Sequence, residues 1–222
     1  MIGLDPFRRL SAGLSRRARS FAATLRVVAG GDAPDLIVVG ERAALGPLRR
    51  DLLPAYARWA NSVGVRRGTG MQGVWTLEAE EDWYERAIAD SAQPSPPTVF
   101  FTVHDARDGA PVGTASLFTI GYRGGRASYS IMLGERRGEG IGTDATRLVL
   151  DFGFTVLGLR NVLLEAYADN LGALRAYERA GFREIGRRRG ASFQFGRRLD
   201  TVLMDAVPED FEGSVLAARE ET

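Results

Sequence analysis

The stretch Glu135–Gly142, which reads Glu-Arg-Arg-Gly-Glu-Gly-Ile-Gly, lies between a strand-like run, Ala127–Leu133, and a helix-like run, Thr143–Leu157. Three glycines at alternate positions allow the backbone to turn tightly and to bring its N–H groups close to a ligand. The helix that follows directs the positive end of its dipole at the same place, and Arg136 and Arg137 add positive charge. The stretch therefore predicts a site for a pyrophosphate-like anion.

Two common phosphate-binding loops can be tested against this stretch. A P-loop requires Gly-Lys-Ser/Thr, and the chain contains no lysine. A dinucleotide-binding fingerprint requires Gly-x-Gly-x-x-Gly, but Thr143 stands where the third glycine would be. The pattern that remains is Arg137-x-x-Gly140-x-Gly142, which by itself is also compatible with a glycine-rich turn that binds no ligand.

A second block of sequence, Ala168–Phe182, supplies groups that could complete such a site. A strand-like run, Asn161–Tyr167, leads into Asn170, and the pattern predicts a short helix that Gly181 ends in a left-handed conformation. Asn170 and Tyr177 are seven residues apart, so both lie on one face of this helix, two turns apart.

Together the two blocks resemble the GNAT superfamily of acyl-CoA-dependent N-acetyltransferases, and the surrounding sequence is most similar to its RimJ/RimL-like branch. The strong match covers about residues 126–205, and a weaker one covers Asp51–Asn61 with Thr76–Tyr84. The resemblance implies an α/β fold with a mixed, mostly antiparallel central sheet, whose central strands splay apart, flanked by helices. It also implies transfer of an acetyl group from acetyl-CoA to a primary amine, by direct attack in a ternary complex.

The resemblance assigns candidate residues to the acyl donor. Backbone groups of Met132 and Leu133 match the positions that hold pantetheine and polarise the thioester carbonyl. Asn170 would bond the pantetheine amide, cap the helix, or do both. The expected donor-binding set is Met132, Leu133, Arg137, Gly138, Glu139, Gly140, Ile141, Gly142, Thr143, Asn170 and Ala173.

Two side chains are expected to be catalytic. Tyr177 would protonate the leaving thiolate, by resemblance to the tyrosine at this motif position, although a purely packing aromatic is the alternative. Many relatives carry a glutamate on the strand before the glycine loop, but this chain has serines at 128 and 130 there. Glu165 is therefore the leading candidate for the base, with a water chain, an unassisted neutral amine or an ordinary surface charge as alternatives. His104, at the end of a predicted strand, is a weaker candidate for the base.

Composition excludes several classes of function. The chain has 222 residues, no cysteine, one histidine and a formal net charge of +1, which is typical of a globular protein and not of a nucleic-acid binder. Without lysine there is no Schiff-base chemistry, and without cysteine there is no thiol nucleophile and no cysteine-rich metal site. No metal, nucleic-acid or integral-membrane contact is expected, the location is expected to be cytoplasmic, and a homodimer is left open.

The sequence predicts a basic N-terminal extension and linker (residues 1–34), a folded domain (35–207) and a charged, mobile C-terminal tail (208–222). Inside the domain, Val65–Gly73 is expected to be a flexible glycine-rich loop, and Thr76 is expected to cap a helix that runs to about Ala89. A closing hairpin is expected from short strands at Ser192–Phe195 and Thr201–Asp205.

Three hypotheses follow from the sequence. The first is an N-acetyltransferase whose acceptor is a protein N-terminus or a small-molecule amine. The second is a non-catalytic CoA-binding or interaction module of the same fold, and the third is a nucleotide-binding protein that uses the same loop for ADP.

Overall fold

A computed structural model describes residues 34–211 and 213–216, so the predicted N-terminal extension lies almost wholly outside the described residues. The described strands form one sheet in the order β1-β2-β3-β4-β5-β6-β8-β7. Neighbours are antiparallel except for β5 and β6, which are parallel. The expected mixed, mostly antiparallel sheet is therefore confirmed.

The strands and helices follow each other in this order along the chain. The strands are β1 Val38–Val39, β2 Ala43–Gly46, β3 Val99–Asp105, β4 Pro111–Gly121, β5 Arg126–Leu133, β6 Asn161–Tyr167, β7 Arg183–Gln194 and β8 Arg197–Ala206. The helices are α1 Leu53–Asn61, α2 Val63–Thr69, α3 Leu77–Ser91, α4 Ile141–Asp151, which continues as a π-helical turn over Phe152–Val156, and α5 Leu171–Ala180.

Helices cover both faces of the sheet. Because neighbouring residues of a strand point to opposite faces, each central strand contributes side chains to two separate clusters. Phe101 and Tyr129 lie in the larger core, with the buried side chains of α4. Phe100 and Met132 pack on the other face, against a smaller cluster that contains Trp59 of α1 and Ala87 of α3. The glycine-rich loop therefore lies at the edge of the larger core, between β5 and α4.

Several local predictions are confirmed. The strand Asn161–Tyr167 and the helix Leu171–Ala180 have the predicted bounds, and Gly181 ends that helix with φ 111°. Thr76 caps α3, since its hydroxyl accepts a hydrogen bond from Ala79 N at 3.2 Å.

The expected flexible loop at Val65–Gly73 is wrong for its first half, which is helix α2. Ser62 starts this helix, because its hydroxyl accepts a hydrogen bond from Val65 N at 3.2 Å. Gly70, with φ 73°, ends it, and Val65 is buried with 1% of its surface exposed. Burial of Val65 against the rest of the domain outweighs the low helix propensity of the glycines.

Three more differences concern strands and the C-terminal residues. Strand β2 was not predicted, and β7 starts nine residues earlier than the predicted Ser192. The prediction of a mobile tail is wrong for residues 214–216, since Asp151 accepts hydrogen bonds from Ser214 Oγ and from the backbone N–H groups of Val215 and Leu216. The buried carboxylate of Asp151 thereby holds this segment against α4.

Candidate active site

The central strands separate where the glycine-rich loop begins. Strands β5 and β6 pair only over Arg126–Ser128 and Asn161–Leu163, although both strands continue for several residues. Beyond this pairing lies a cleft of about 760 Å³, which is lined by Ile131, Met132 and Leu133 of β5 and by Asn170, three residues after the end of β6. The predicted splay is therefore present, and no strand in the described part of the chain pairs with the backbone groups of β5 on that side.

The direction of these backbone groups follows from the pairing with β4. Gly134 N–H donates to Val112 O at 2.9 Å, so it points toward β4. Because N–H directions alternate along a strand, Met132 N–H also points toward β4, whereas Leu133 and Ile131 direct theirs toward the cleft. Leu133 therefore directs its N–H group toward the cleft, as expected. Met132 was expected to do the same, but it lines the cleft while its N–H group points toward β4.

The glycine-rich loop has a left-handed backbone at two of its glycines. Gly138 has φ 85° and Gly140 has φ 82°, which L-residues rarely adopt. Helix α4 begins directly after Gly140, so its first N–H groups and its positive dipole end lie at the mouth of the cleft. An anion held there would meet backbone N–H donors. The acidic residue of the first turn, Asp144, would not repel it directly, because its carboxylate accepts hydrogen bonds from the N–H groups of Arg42 and Ala43.

The two arginines of the loop point in different directions. Arg137 lines the cleft, and its Nε donates to Leu133 O at 2.7 Å. No carboxylate among the described residues pairs with it, and burial lowers the pKa of its guanidinium. Arg136 instead pairs with Asp105 and Asp108. The prediction that Arg136 adds positive charge to the anion site is therefore wrong, because two carboxylates neutralise it.

Ten of the thirteen predicted site residues line the cleft: Met132, Leu133, Arg137, Gly138, Gly140, Gly142, Thr143, Asn170, Ala173 and Tyr177. Glu139 and Ile141 belong to the loop but turn their side chains elsewhere. Glu139 pairs with Arg107, and Ile141 is buried in the core with 2% of its surface exposed.

Helix α5 brings Asn170 and Tyr177 to the same cleft. Asn170 caps the helix, since its Oδ1 accepts a hydrogen bond from Ala173 N at 3.3 Å. The Tyr177 ring packs edge-on against Tyr129 and Phe182, with ring centroids 6.2 and 6.1 Å apart. Burial raises the pKa of Tyr177 to about 12, so its phenol is neutral and can donate a proton.

The two candidate bases lie outside the cleft. On β6, Leu164 and Ala166 face the core, so the intervening Glu165 points to the other face, where it is exposed and pairs with Arg188 at 3.3 Å. His104 is buried with 1% of its surface exposed, and its Nδ1 lies 2.9 Å from Gly109 O. Burial lowers the pKa of His104, which makes it a neutral core residue. The geometry therefore supports neither side chain as a base in contact with the cleft.

Two walls of the cleft come from elements that the predicted site residues do not include. Helix α2 contributes Arg67, and the tip of the β7–β8 hairpin contributes Phe195 and Arg197. The Arg67 guanidinium lies 5.2 Å from the centre of the Phe195 ring and so bridges these two walls. With Arg179 of α5 and Arg137, the cleft carries four arginines, which suits a polyanionic ligand. The family resemblance implies that the stretch Val65–Gly73 lines the acceptor side, but the pairing of α2 with the distant hairpin is not visible in a sequence.

Comparisons with known proteins agree with this geometry. A family model described as an acetyltransferase (GNAT) domain matches residues 42–183. Spermidine N(1)-acetyltransferase of Escherichia coli K12 is 30% identical over 139 residues, which cover 62% of this chain and 71% of that protein. The Vibrio cholerae spermidine N(1)-acetyltransferase is 30% identical over 125 residues, which cover 56% of this chain and 69% of that protein.

A solved structure has the same fold. The crystal structure of a spermidine N-acetyltransferase from Vibrio cholerae, in complex with CoA and spermine, superposes with a TM-score of 0.70 at 24% identity. The superposition covers 78% of this chain and 99% of that chain.

The family match covers more than half of the chain, and the chain therefore belongs to the GNAT acetyltransferase family. It is an acyl-CoA-dependent N-acetyltransferase, and the predictions of the fold, the reaction class and the acyl donor are confirmed. The comparisons do not support the more specific RimJ/RimL-like branch. Among the described residues, none of the helices combines the length and the apolar character that a membrane-spanning segment needs.

Proposed function

We propose that this enzyme transfers the acetyl group of acetyl-CoA to a primary amine of an aliphatic polyamine, with the donor bound between β5 and β6. The observation that carries this proposal is the cleft itself, which opens where the two strands separate and ends at the glycine-rich loop. The names of the bacterial relatives support spermidine as the first acceptor to test.

The donor would lie along the cleft with its phosphates at the loop. The pyrophosphate would accept hydrogen bonds from N–H groups at the start of α4 and would pair with Arg137. Pantetheine would extend along β5, where backbone groups of Ile131 and Leu133 have no partner strand on the cleft side. The side-chain amide of Asn170 lines the same cleft and would lie beside the pantetheine.

The reaction would then be a direct displacement. The neutral amine nitrogen attacks the thioester carbonyl carbon, charge develops on the carbonyl oxygen, and a backbone N–H such as that of Leu133 stabilises it. The C–S bond breaks, and the Tyr177 hydroxyl donates its proton to the leaving thiolate. The nitrogen passes its surplus proton to water, and the Tyr177 phenolate regains a proton from water. Glu165 takes no part, because it is paired with Arg188 outside the cleft.

A cationic acceptor fits the charge of the helix that covers the second face of the sheet. Helix α3 carries one basic residue, Arg86, and six acidic residues. Glu80 is buried and Glu85 pairs with Arg50, so the negative charge of the helix is carried by Glu78, Glu81, Asp82 and Asp90. This helix packs with α1 in the cluster that also contacts Met132, so its charge lies on the Met132 side of the sheet. The arrangement favours an anionic donor at the arginine-lined cleft and a polycation at the acidic helix.

Calorimetric titration with acetyl-CoA, with ADP as the control, tests the donor site first. Clear preference for acetyl-CoA supports it, and equal binding of ADP would favour a nucleotide site. Because the chain has no cysteine, a thiol-reactive dye then measures released CoA without a signal from the protein.

Spermidine, a monoamine of matched length and a short peptide with a free N-terminus should be compared as acceptors in that assay. A higher kcat/KM for spermidine supports the polyamine proposal, and a preference for the peptide would refute it. The RimJ/RimL-like placement, the homodimer and the cytoplasmic location stay predictions.

A further inference from the structure

A cluster of charged side chains lies behind the glycine-rich loop, on the side away from the cleft. We call it the loop anchor, and it comprises Asp105, Arg107, Asp108, Arg136 and Glu139. It joins the end of β3 and the β3–β4 turn to the loop, and the donor-binding proposal makes no use of it.

Asp105 is the centre of the loop anchor. Its side chain is fully buried, and it accepts hydrogen bonds from Arg107 N at 2.9 Å, from Arg107 Nη2 at 2.6 Å and from Arg136 Nη1. Burial alone would raise the pKa of Asp105, but the hydrogen bonds from the two arginines outweigh burial and hold the pKa well below its usual range. The buried carboxylate is therefore charged and fully paired.

Arg136 connects this carboxylate to the loop, and Arg136 is itself the first residue of the loop with an unusual backbone conformation. Its φ is 51°, a left-handed conformation that residues other than glycine rarely adopt. The Arg136 guanidinium also bonds both carboxylate oxygens of Asp108, at 3.0 and 2.8 Å. These bonds hold the unusual backbone, which in turn places the next residue, Arg137, in the cleft.

The middle and the end of the loop are held in the same way. Arg107 Nη2 contacts Glu139 Oε2 at 2.5 Å, and Arg42 Nη1 donates to Glu139 O at 3.1 Å. Asp144, in the first turn of α4, accepts hydrogen bonds from the N–H groups of Arg42 and Ala43 at 2.7 and 2.8 Å. The loop is thus tied down at three points, and all three ties lie outside the cleft.

We propose that Asp105 is a positioning residue for the acyl donor: through Arg136 and Arg107 it holds the glycine-rich loop in the conformation that presents its N–H groups to the donor phosphates. The inference rests on the proposed donor site. A loop with three glycines has many accessible conformations, and ordering it on binding would weaken affinity. The loop anchor provides that order before the donor arrives.

The test is the Asp105→Asn variant, compared with acetyl-CoA and with S-acetyl-pantetheine, which lacks the phosphates, as donors. A neutral amide cannot accept from two guanidinium groups as a carboxylate does. If the loop then holds the binding conformation about a tenth of the time, the KM for acetyl-CoA rises about tenfold with kcat retained. The kcat/KM for S-acetyl-pantetheine should not change, because that donor does not reach the loop.

Asp151→Asn is the matched control, since Asp151 is also a buried, multiply bonded aspartate but holds residues 214–216 instead of the loop. It should lower stability without a change in the KM for acetyl-CoA. If Asp105→Asn does not fold, Asp108→Asn breaks the bidentate contact at a half-exposed carboxylate and should show a smaller shift of the same kind.

The outcomes separate the two proposals. Failure of the wild-type enzyme to bind acetyl-CoA would refute the donor site itself. Normal binding by the wild type, with an unchanged KM in both loop-anchor variants or with equal losses for the two donors, would refute the positioning role of Asp105.

Discussion

Replacing Tyr177 with phenylalanine removes one hydroxyl from the cleft and leaves the aromatic ring in place. The ring would keep its edge-on contacts with Tyr129 and Phe182. The hydroxyl makes no hydrogen bond to another described residue, so its loss should change the free energy of unfolding by less than about 0.5 kcal/mol. The substitution therefore separates a chemical role from a packing role.

The expected effect on the reaction is much larger. A positioned general acid contributes about 10²- to 10⁴-fold to the rate, which corresponds to about 2.7 to 5.4 kcal/mol in activation free energy. The loss should appear in kcat, while the Kd for acetyl-CoA stays close to that of the wild type. Since burial raises the pKa of Tyr177 to about 12, the acid stays protonated through neutral pH, and its deprotonation should not limit the wild-type rate below that pH.

The assay measures kcat by dye detection of released CoA, the Kd by calorimetry and stability by urea unfolding. Tyr129→Phe is the matched control, because the Tyr129 hydroxyl is hydrogen-bonded to Thr146 Oγ1 at 2.8 Å in the core. This control should lose about 1 kcal/mol of stability and keep its kcat. If Tyr177→Phe retains wild-type turnover, Tyr177 is a packing residue and the proposed proton transfer is wrong.

Three further substitutions test the anion site, a buried carboxyl and a close contact. Arg137→Ala should raise the KM for acetyl-CoA about 10- to 100-fold and weaken its salt dependence, and an unchanged KM would contradict the phosphate role. Burial raises the pKa of Glu80 from 4.5 to about 7, so the native state loses stability as pH rises from 4.5 to 7. Glu80→Gln should remove that slope and stabilise the protein at pH 8 by up to about 3 kcal/mol, whereas equal urea midpoints at pH 5 and pH 8 in the wild type would contradict the shifted pKa. Gly134→Ala would place a methyl group 2.0 Å from Cγ of the Trp59 ring and should cost about 1 to 3 kcal/mol in urea unfolding, whereas Gly186→Ala, with no atom within 4 Å, should cost little.

Local features of the chain were predictable because each depends on residues that are close in sequence. The helix Leu171–Ala180 follows from its capping asparagine and from Gly181 at its end, and both signals lie within one segment. The cap of α3 by Thr76 has the same origin. Most of the predicted site residues also line the cleft, since the glycine-rich loop and Asn170 each adjoin a recognisable strand.

Predictions failed where distant segments decide the outcome. Helix α2 contains two glycines in seven residues, and its helical state depends on the burial of Val65 against elements far along the chain. The position of Glu165 before Asn170 predicts a carboxylate at the reaction centre. The side chains of β6 alternate between the two faces, however, and Glu165 lies on the exposed face, where it pairs with Arg188. Periodicity predicts that a strand has two faces, and it does not say which face meets the cleft.

The sequence alone determined the glycine-rich loop, the helix that follows it and the tyrosine two turns beyond Asn170, because spacing along one chain decides each of them. The tertiary structure decided which of the two loop arginines has no carboxylate partner among the described residues. Arg136 and Arg137 are neighbours with the same chemistry, but the buried carboxylate of Asp105, 31 residues earlier, pairs with Arg136 and leaves Arg137 in the cleft. A charge buried in a fold must be paired, and only the folded chain brings its partner within reach.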